Sequence, residues 1–285
     1  MNHCYLLMAI LNGLHSGANS YTFKDASKWK DEYPDCGGKN QAPILLRPRE
    51  MKVKNDYVLK FINHDKKPTS MKIKNDGHFV QVTGVWPGAV PSIIGGPLNN
   101  EYKFDRVDFF WGQSDTEGSL HKIADYETGE PNGYALENHL NYYNRKYDTF
   151  EDARKESDGI AVVCLIYKNV VADNQIGTGN SSLKPFEKIL GKIQPINSTE
   201  KVSPFPLSDM NLATVSLYFT YKGSLVIPPC TDSVNWIISQ YIQNVTEKEV
   251  NLFRKIHLEG GDKTNIRPIQ QQNKRDVYYL EVKAE

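Results

Sequence analysis

Apolar and polar positions alternate in two runs between residues 105 and 144. Val107, Phe109 and Trp111 are interleaved with Asp108, Phe110 and Gly112. A two-residue period rich in aromatic and β-branched side chains predicts a strand. A second strand is predicted over Tyr134 to Tyr143. Leu136, Asn138, Leu140 and Tyr142 fall on one face, and Glu137, His139, Asn141 and Tyr143 on the other. Residues 127–133 between them carry turn chemistry. Adjacent strands would let Asp108, Phe110 and His139 point into one space.

The same reading predicts short strands within 52–61, 71–74, 78–85, 211–224 and 277–282, and an apolar strand over 160–166. The 211–224 stretch alternates at Val215, Leu217 and Phe219. Leu183, Phe186, Ile189, Leu190 and Ile193 repeat every three to four residues and predict an amphipathic helix within 180–193. Residues 150–156 are helix-compatible. Thr246 followed by Glu249 forms a capping box at the start of a helix over 247–255. No internal repeat, low-complexity tract or interdomain linker interrupts the chain. Spacing alone gives a mixed α/β, β-rich single domain.

Composition narrows the function classes. The 285 residues are 39% hydrophobic and 24% charged, enough to bury a core, and the formal net charge is zero. That balance argues against nucleic acid as a partner. No apolar run is long enough to span a membrane. Tyr5 to Leu14 is largely apolar and is followed by the small residues Ser16, Gly17 and Ala18, so residues 1–18 read as a signal peptide. An ordinary buried helix is the competing reading, since no Lys or Arg precedes the run. Asn180, Asn197 and Asn244 each head an N-glycosylation sequon. Together these favour a secreted, extracellular protein. His64, Lys66, Lys67, Lys72 and Lys74 form a local basic cluster, either a contact for an acidic glycan or a solvated loop.

Trp111-Gly112, then Gly118-Ser119-Leu120-His121, then the stretch from Glu137 to Asn144, in this order, resemble the α-class carbonic anhydrases. So do Gly37 to Ile44, Asn75-Asp76-Gly77-His78, Gly223 to Pro229, the block of Pro228, Pro229, Cys230, Val234 and Trp236, and Asn265 to Gln270. The resemblance covers roughly residues 21–282. It implies one α-carbonic-anhydrase domain, a twisted, mostly antiparallel sheet of about ten strands with short peripheral helices. It also implies a Cys36–Cys230 disulfide, as in secreted members, and a cis peptide at Ala42-Pro43. Cys164 lies in an apolar run and reads as a packed thiol.

The resemblance further implies three zinc-binding histidines, at positions 108, 110 and 139. Here they are Asp108, Phe110 and His139. Glu137 keeps the place of the residue that orients the third imidazole. Tetrahedral zinc needs three protein donors and a water, and Phe110 offers none. The family's hydroxide-aligning Thr is Val226, and the Glu behind that Thr is Leu120. His78 occupies the place of the proton shuttle, which has nothing to carry without a metal. No metal or other cofactor is therefore expected unless this degenerate site is rescued.

Two arrangements are open for Asp108: an inward pair with Arg106, or a bond to His139 with Arg106 turned to solvent. Phe110, Leu120, Val162, Val226 and Ile227 would line the former active-site cone. Either they fill it or they enclose a small apolar ligand. The expected function is binding, of such a ligand or of an extracellular partner. The alternatives are residual or altered carbonic anhydrase activity, metal-free acid–base chemistry at His139 and His78, and a matrix or glycan interaction protein.

Overall fold

The computed structural model describes residues 21–55, 58–170 and 181–280. The expected signal peptide and the sequon at Asn180 lie outside the described residues. The described residues build a 13-stranded sheet. Ten strands follow one path: Thr199–Val202, Ser70–Asn75, Val80–Val85, Leu98–Trp111, Leu136–Asn144, Ile160–Val170, Val234–Ser239, Tyr218–Gly223, Tyr278–Leu280 and Lys52–Lys54. Neighbours on this path are antiparallel except Ile160–Val170 beside Val234–Ser239, and Tyr278–Leu280 beside Lys52–Lys54. This is the β-rich single domain that the sequence predicts.

The pleat sorts side chains into two apolar layers. One holds Val107, Phe109, Trp111, Leu136, Leu140, Tyr142 and Val163. The other holds Phe110, Val162, Cys164, Phe219, Tyr221 and Trp236. The two central strands lie antiparallel with His139 opposite Asp108 and Glu137 opposite Phe110. The predicted pairing therefore places Asp108, Phe110 and His139 on one side of the sheet.

Helices are short. Thr149 caps Phe150–Ala153. Thr246 and Glu249 form the predicted capping box on Glu247–Phe253. Two expectations need correction. The apolar periodicity at 183–193 is met by one 3-10 turn, Lys184–Phe186, and one α-turn, Glu187–Leu190, not by a continuous amphipathic helix. Pro185 lacks the N–H that a longer helix would need. Val215 lies in a 3-10 segment, Leu212–Ser216, and the strand begins only at Tyr218. Asn211, at φ 60°, turns the chain there.

The amino-terminal arm is fastened to the domain by Arg267. Its guanidinium is buried and donates to the carbonyls of Cys36 and Ala42 at 3.1 and 2.8 Å and to Gln41 Oε1 at 2.9 Å. The Ala42-Pro43 peptide is cis, as expected, and so is Pro228-Pro229. Cys36 and Cys230 form the disulfide, across 194 residues of sequence. Closing so long a loop removes chain entropy from the unfolded state. Substituting Cys230 with Ser is expected to lower stability by about 2–5 kcal/mol. Thermal unfolding of wild type and variant, with and without reductant, measures it; coincident curves would contradict the assignment of that role.

Candidate functional site

The position where the two central strands face each other is a closed hydrogen-bonded cluster beneath an apolar layer. Glu137 Oε1 accepts from His121 Nδ1 at 2.8 Å and from His139 Nε2 at 2.6 Å. Glu137 Oε2 accepts the backbone N–H of His121 at 2.8 Å. His121 Nε2 in turn accepts from the Tyr221 hydroxyl at 2.8 Å. All of Glu137, His121 and His139 are buried. Burial alone would raise the Glu137 pKa, but the two imidazoles overcome it and hold the carboxyl well below its usual range. Burial pushes His139 down, toward the neutral ring, against the pull of Glu137.

Asp108 is tied elsewhere. Arg106 Nε donates to its two carboxylate oxygens at 3.0 and 3.1 Å, and Asn141 Nδ2 donates to Oδ2 at 2.9 Å. Arg106 also pairs with Asp105 at 2.6 Å and lies over the Phe150 ring at 4.5 Å. Of the two arrangements open in the sequence, the geometry is the Arg106–Asp108 pair. Its partners are unequal. Burial pushes Asp108 up to about 7 despite Arg106, and Asp76 and Asp105 add to the rise. Arg106 is desolvated too, yet its two carboxylates keep it charged.

This asymmetry gives a pH dependence. The folded Asp108 holds its proton more tightly than an unfolded Asp, whose pKa is about 3.9. Its effect on stability is therefore most favourable below about pH 4 and is lost as pH rises toward about 7. The D108N variant cannot titrate there. Its melting temperature relative to wild type is expected to climb between about pH 4 and pH 7. A pH-independent difference would show that Asp108 does not titrate in this window.

Phe110 lies against the third imidazole, with ring centroids of Phe110 and His139 4.5 Å apart. Phe79 packs behind it at 5.9 Å. Phe110, Leu120, Val162 and Val226 expose only 2, 1, 1 and 4% of their surface within one apolar cluster, and Ile227 packs at its margin. Walls so deeply covered offer an apolar ligand almost no contact surface. At the rim, Tyr21 stacks on His78 with centroids 4.0 Å apart. Burial lowers the His78 pKa, with Asp76, Glu259 and Asp262 opposing.

A tetrahedral zinc does not fit this donor set. Phe110 contributes no donor, and both oxygens of Asp108 are engaged by Arg106 and Asn141. One other group brings four potential ligands within 4.8 Å: His121, Glu137, His139 and Cys164. Both oxygens of Glu137 already accept from His121 and His139, so an ion held by Glu137 would have to break these buried bonds.

Sequence reasoning named Glu137 and His139 but gave no role to His121, Tyr221, Asn141 or Tyr21. His121 was visible in the Gly118-Ser119-Leu120-His121 block. Tyr221 comes from a strand 100 residues later in the chain than His121, and no local pattern marks it. His64, read as part of a basic surface cluster, is instead buried, with Nε2 2.8 Å from the Tyr142 hydroxyl. Burial lowers its pKa to about 4, so it is neutral at pH 7 and leaves only the lysines at that surface.

The fold and this strand geometry define a carbonic-anhydrase domain. The eukaryotic-type carbonic anhydrase profile matches residues 24–281. Carbonic anhydrase 1 of Monodelphis domestica is 30% identical over 253 residues, covering 87% of this chain and 88% of that protein. A putative carbonic anhydrase 3 of Caenorhabditis elegans is 31% identical over 255 residues, covering 86% of this chain and 94% of that protein. The chain belongs to the eukaryotic-type carbonic anhydrase family.

Proposed function

We propose that this chain is a secreted member of the family that has given up zinc-hydroxide chemistry and acts by binding. One observation carries the reading: at the metal position a phenyl ring packs on the remaining imidazole, and the neighbouring carboxylate is committed to Arg106 and Asn141. The space a metal and its water would need is taken up by packing and an ion pair. The apolar walls of the former cone are covered as well, which favours an outer surface over a small ligand inside it.

Export rests on three features. They are the apolar start of the chain, the Cys36–Cys230 disulfide and the sequons. Asn197 is exposed, in a turn at φ 64°, where a glycan has room. Among the described residues no helix is long and apolar enough to cross a membrane.

The reading is tested by metal analysis of the purified chain together with a carbon dioxide hydration assay. Substoichiometric zinc and background hydration are expected. Stoichiometric zinc, with activity abolished by His139→Ala, would overturn it and restore the enzyme alternative.

A further inference from the structure

The strands Thr199–Val202, Ser70–Asn75 and Val80–Val85 end the ten-strand path, and only one of their sides is covered. Alternation turns Val202, Met71, Ile73, Val80 and Val82 into the apolar layer. The other side carries Thr199, Lys201, Lys72, Lys74 and Thr83, all exposed. In the register Lys74 lies opposite Gln81, Gln81 opposite Asp108 and Asp108 opposite His139. This surface is the outward continuation of the sheet face that carries the former metal position. Sequence reading put Lys72 and Lys74 in a basic cluster; strand pairing adds Lys201 from much later in the chain.

The lysines are arranged at a cost to the fold. Lys201 stands directly opposite Lys72, and Lys74 follows two residues along the same strand. Side chains so placed start about 5 Å apart across the pair and about 7 Å apart along the strand. Like charges directly opposite one another weaken strand pairing. None of the three makes an ion pair or hydrogen bond among the described residues, whereas Lys66 pairs with Asp65 at 3.3 Å. Glu200 stands opposite Ile73 and so turns to the other side of the sheet. Asp76 accepts the backbone N–H groups of His78 and Phe79, and Asp105 pairs with Arg106. The formal net charge of the chain is zero, so no general basic excess accounts for the cluster. A lysine on the free edge of a sheet discourages strand addition, which explains Lys201. Lys72 and Lys74 lie on an inner strand paired on both sides, where that explanation does not reach.

We infer that this face docks an extended sulfated polysaccharide. Anionic groups repeated along such a chain match a row of cations and remove the Lys201–Lys72 repulsion. Thr199, Thr83 and Gln81 stand opposite the lysines and offer hydroxyl and amide groups to sugar hydroxyls. Val85 is the one exposed apolar residue on these strands, and no aromatic ring accompanies it, which disfavours a membrane surface. The inference deepens the binding function proposed above and rests on it for export of the chain to where such glycans occur.

The test is calorimetric titration of the intact purified chain with a heparin-derived octasaccharide and with its desulfated counterpart. The sulfated form is expected to saturate, to weaken as salt is raised, and to bind at least about tenfold more tightly than the desulfated form. K72E/K74E/K201E is expected to lose at least about tenfold in affinity. K30E/K39E/K222E makes the same change in net charge at exposed lysines elsewhere and is expected to stay within about twofold of wild type. K72E alone turns the pair with Lys201 into one of opposite charge, so it is expected to melt above wild type at low salt and still bind more weakly. A purely structural role for Lys72 would not separate stability from binding in this way. Failure of the sulfated octasaccharide to saturate overturns the inference, and so does an equal loss in the two triple variants. Binding of phosphatidylserine vesicles or polyglutamate that depends on Lys72, Lys74 and Lys201, with none of the octasaccharide, would also overturn it and reassign the face. Zinc content on the same preparation separates the two readings: a metal-free chain that ignores the glycan refutes only the docking face, and a zinc-loaded chain that binds it refutes only the loss of the metal.

Discussion

Replacing Glu137 with Ala is expected to destabilise the domain by about 3–5 kcal/mol, the cost of removing one partner from a buried ionic cluster. The carboxylate takes three hydrogen bonds, from His121 Nδ1, the His121 backbone and His139 Nε2. Without it, three buried donors lose their acceptor at once, with His121 fully buried and His139 only 2% exposed. Glu137→Gln keeps an acceptor oxygen but turns an N–H toward one of the donors, so its loss should be intermediate. Chemical denaturation of the three proteins measures the order. If Ala and Gln were both within about 0.5 kcal/mol of wild type, the range of an ordinary surface change, the cluster would not hold the fold together as described.

The second large effect is a gain. The D108H/F110H double variant is expected to bind zinc near one ion per chain, where wild type stays far below that. Asp108 and Phe110 both neighbour the His139 strand, with Asp108 directly opposite His139, and the Glu137–His139 bond that would orient the third ligand is already made at 2.6 Å. Two new imidazoles would complete a three-nitrogen set. F110H also removes a ring from the apolar cluster, so the metal-free variant should melt lower than wild type and zinc should restore it. Hydration activity should stay weak while Val226 stands where a hydroxyl is needed, and V226T should raise it. Dialysis against zinc with elemental analysis reads the first step. A double variant that remains metal-free would mean that more than the donor atoms has been lost.

The strand pair over 107–111 and 136–143 could be read from alternation because each strand is half of a two-layer core, with Val107, Phe109, Leu136 and Leu140 in one layer. The degenerate ligands could be read because Asp108, Phe110 and His139 stand in blocks with a recognisable order. The helix over 183–193 was misread because its apolar spacing serves two separate turns around Pro185. His64 was misread because a polar residue among lysines gives no local sign that it will be buried against Tyr142, 78 positions away.

Sequence alone determined the family, the β-rich fold, the disulfide pair and the absence of imidazoles at 108 and 110. The β-rich fold follows from short-range period, the missing imidazoles from residue identity, and the family and the disulfide pair from the resemblance of the sequence blocks, all of which the chain carries before it folds. Tertiary structure decided what stands in their place: Asp108 held by Arg106 and Asn141, Phe110 on His139, and Tyr221 closing the His121–Glu137 cluster. Most such contacts join residues on different strands, as far as 100 positions apart in the chain, and whether a buried polar group is paired depends on neighbours that only the packed sheet supplies.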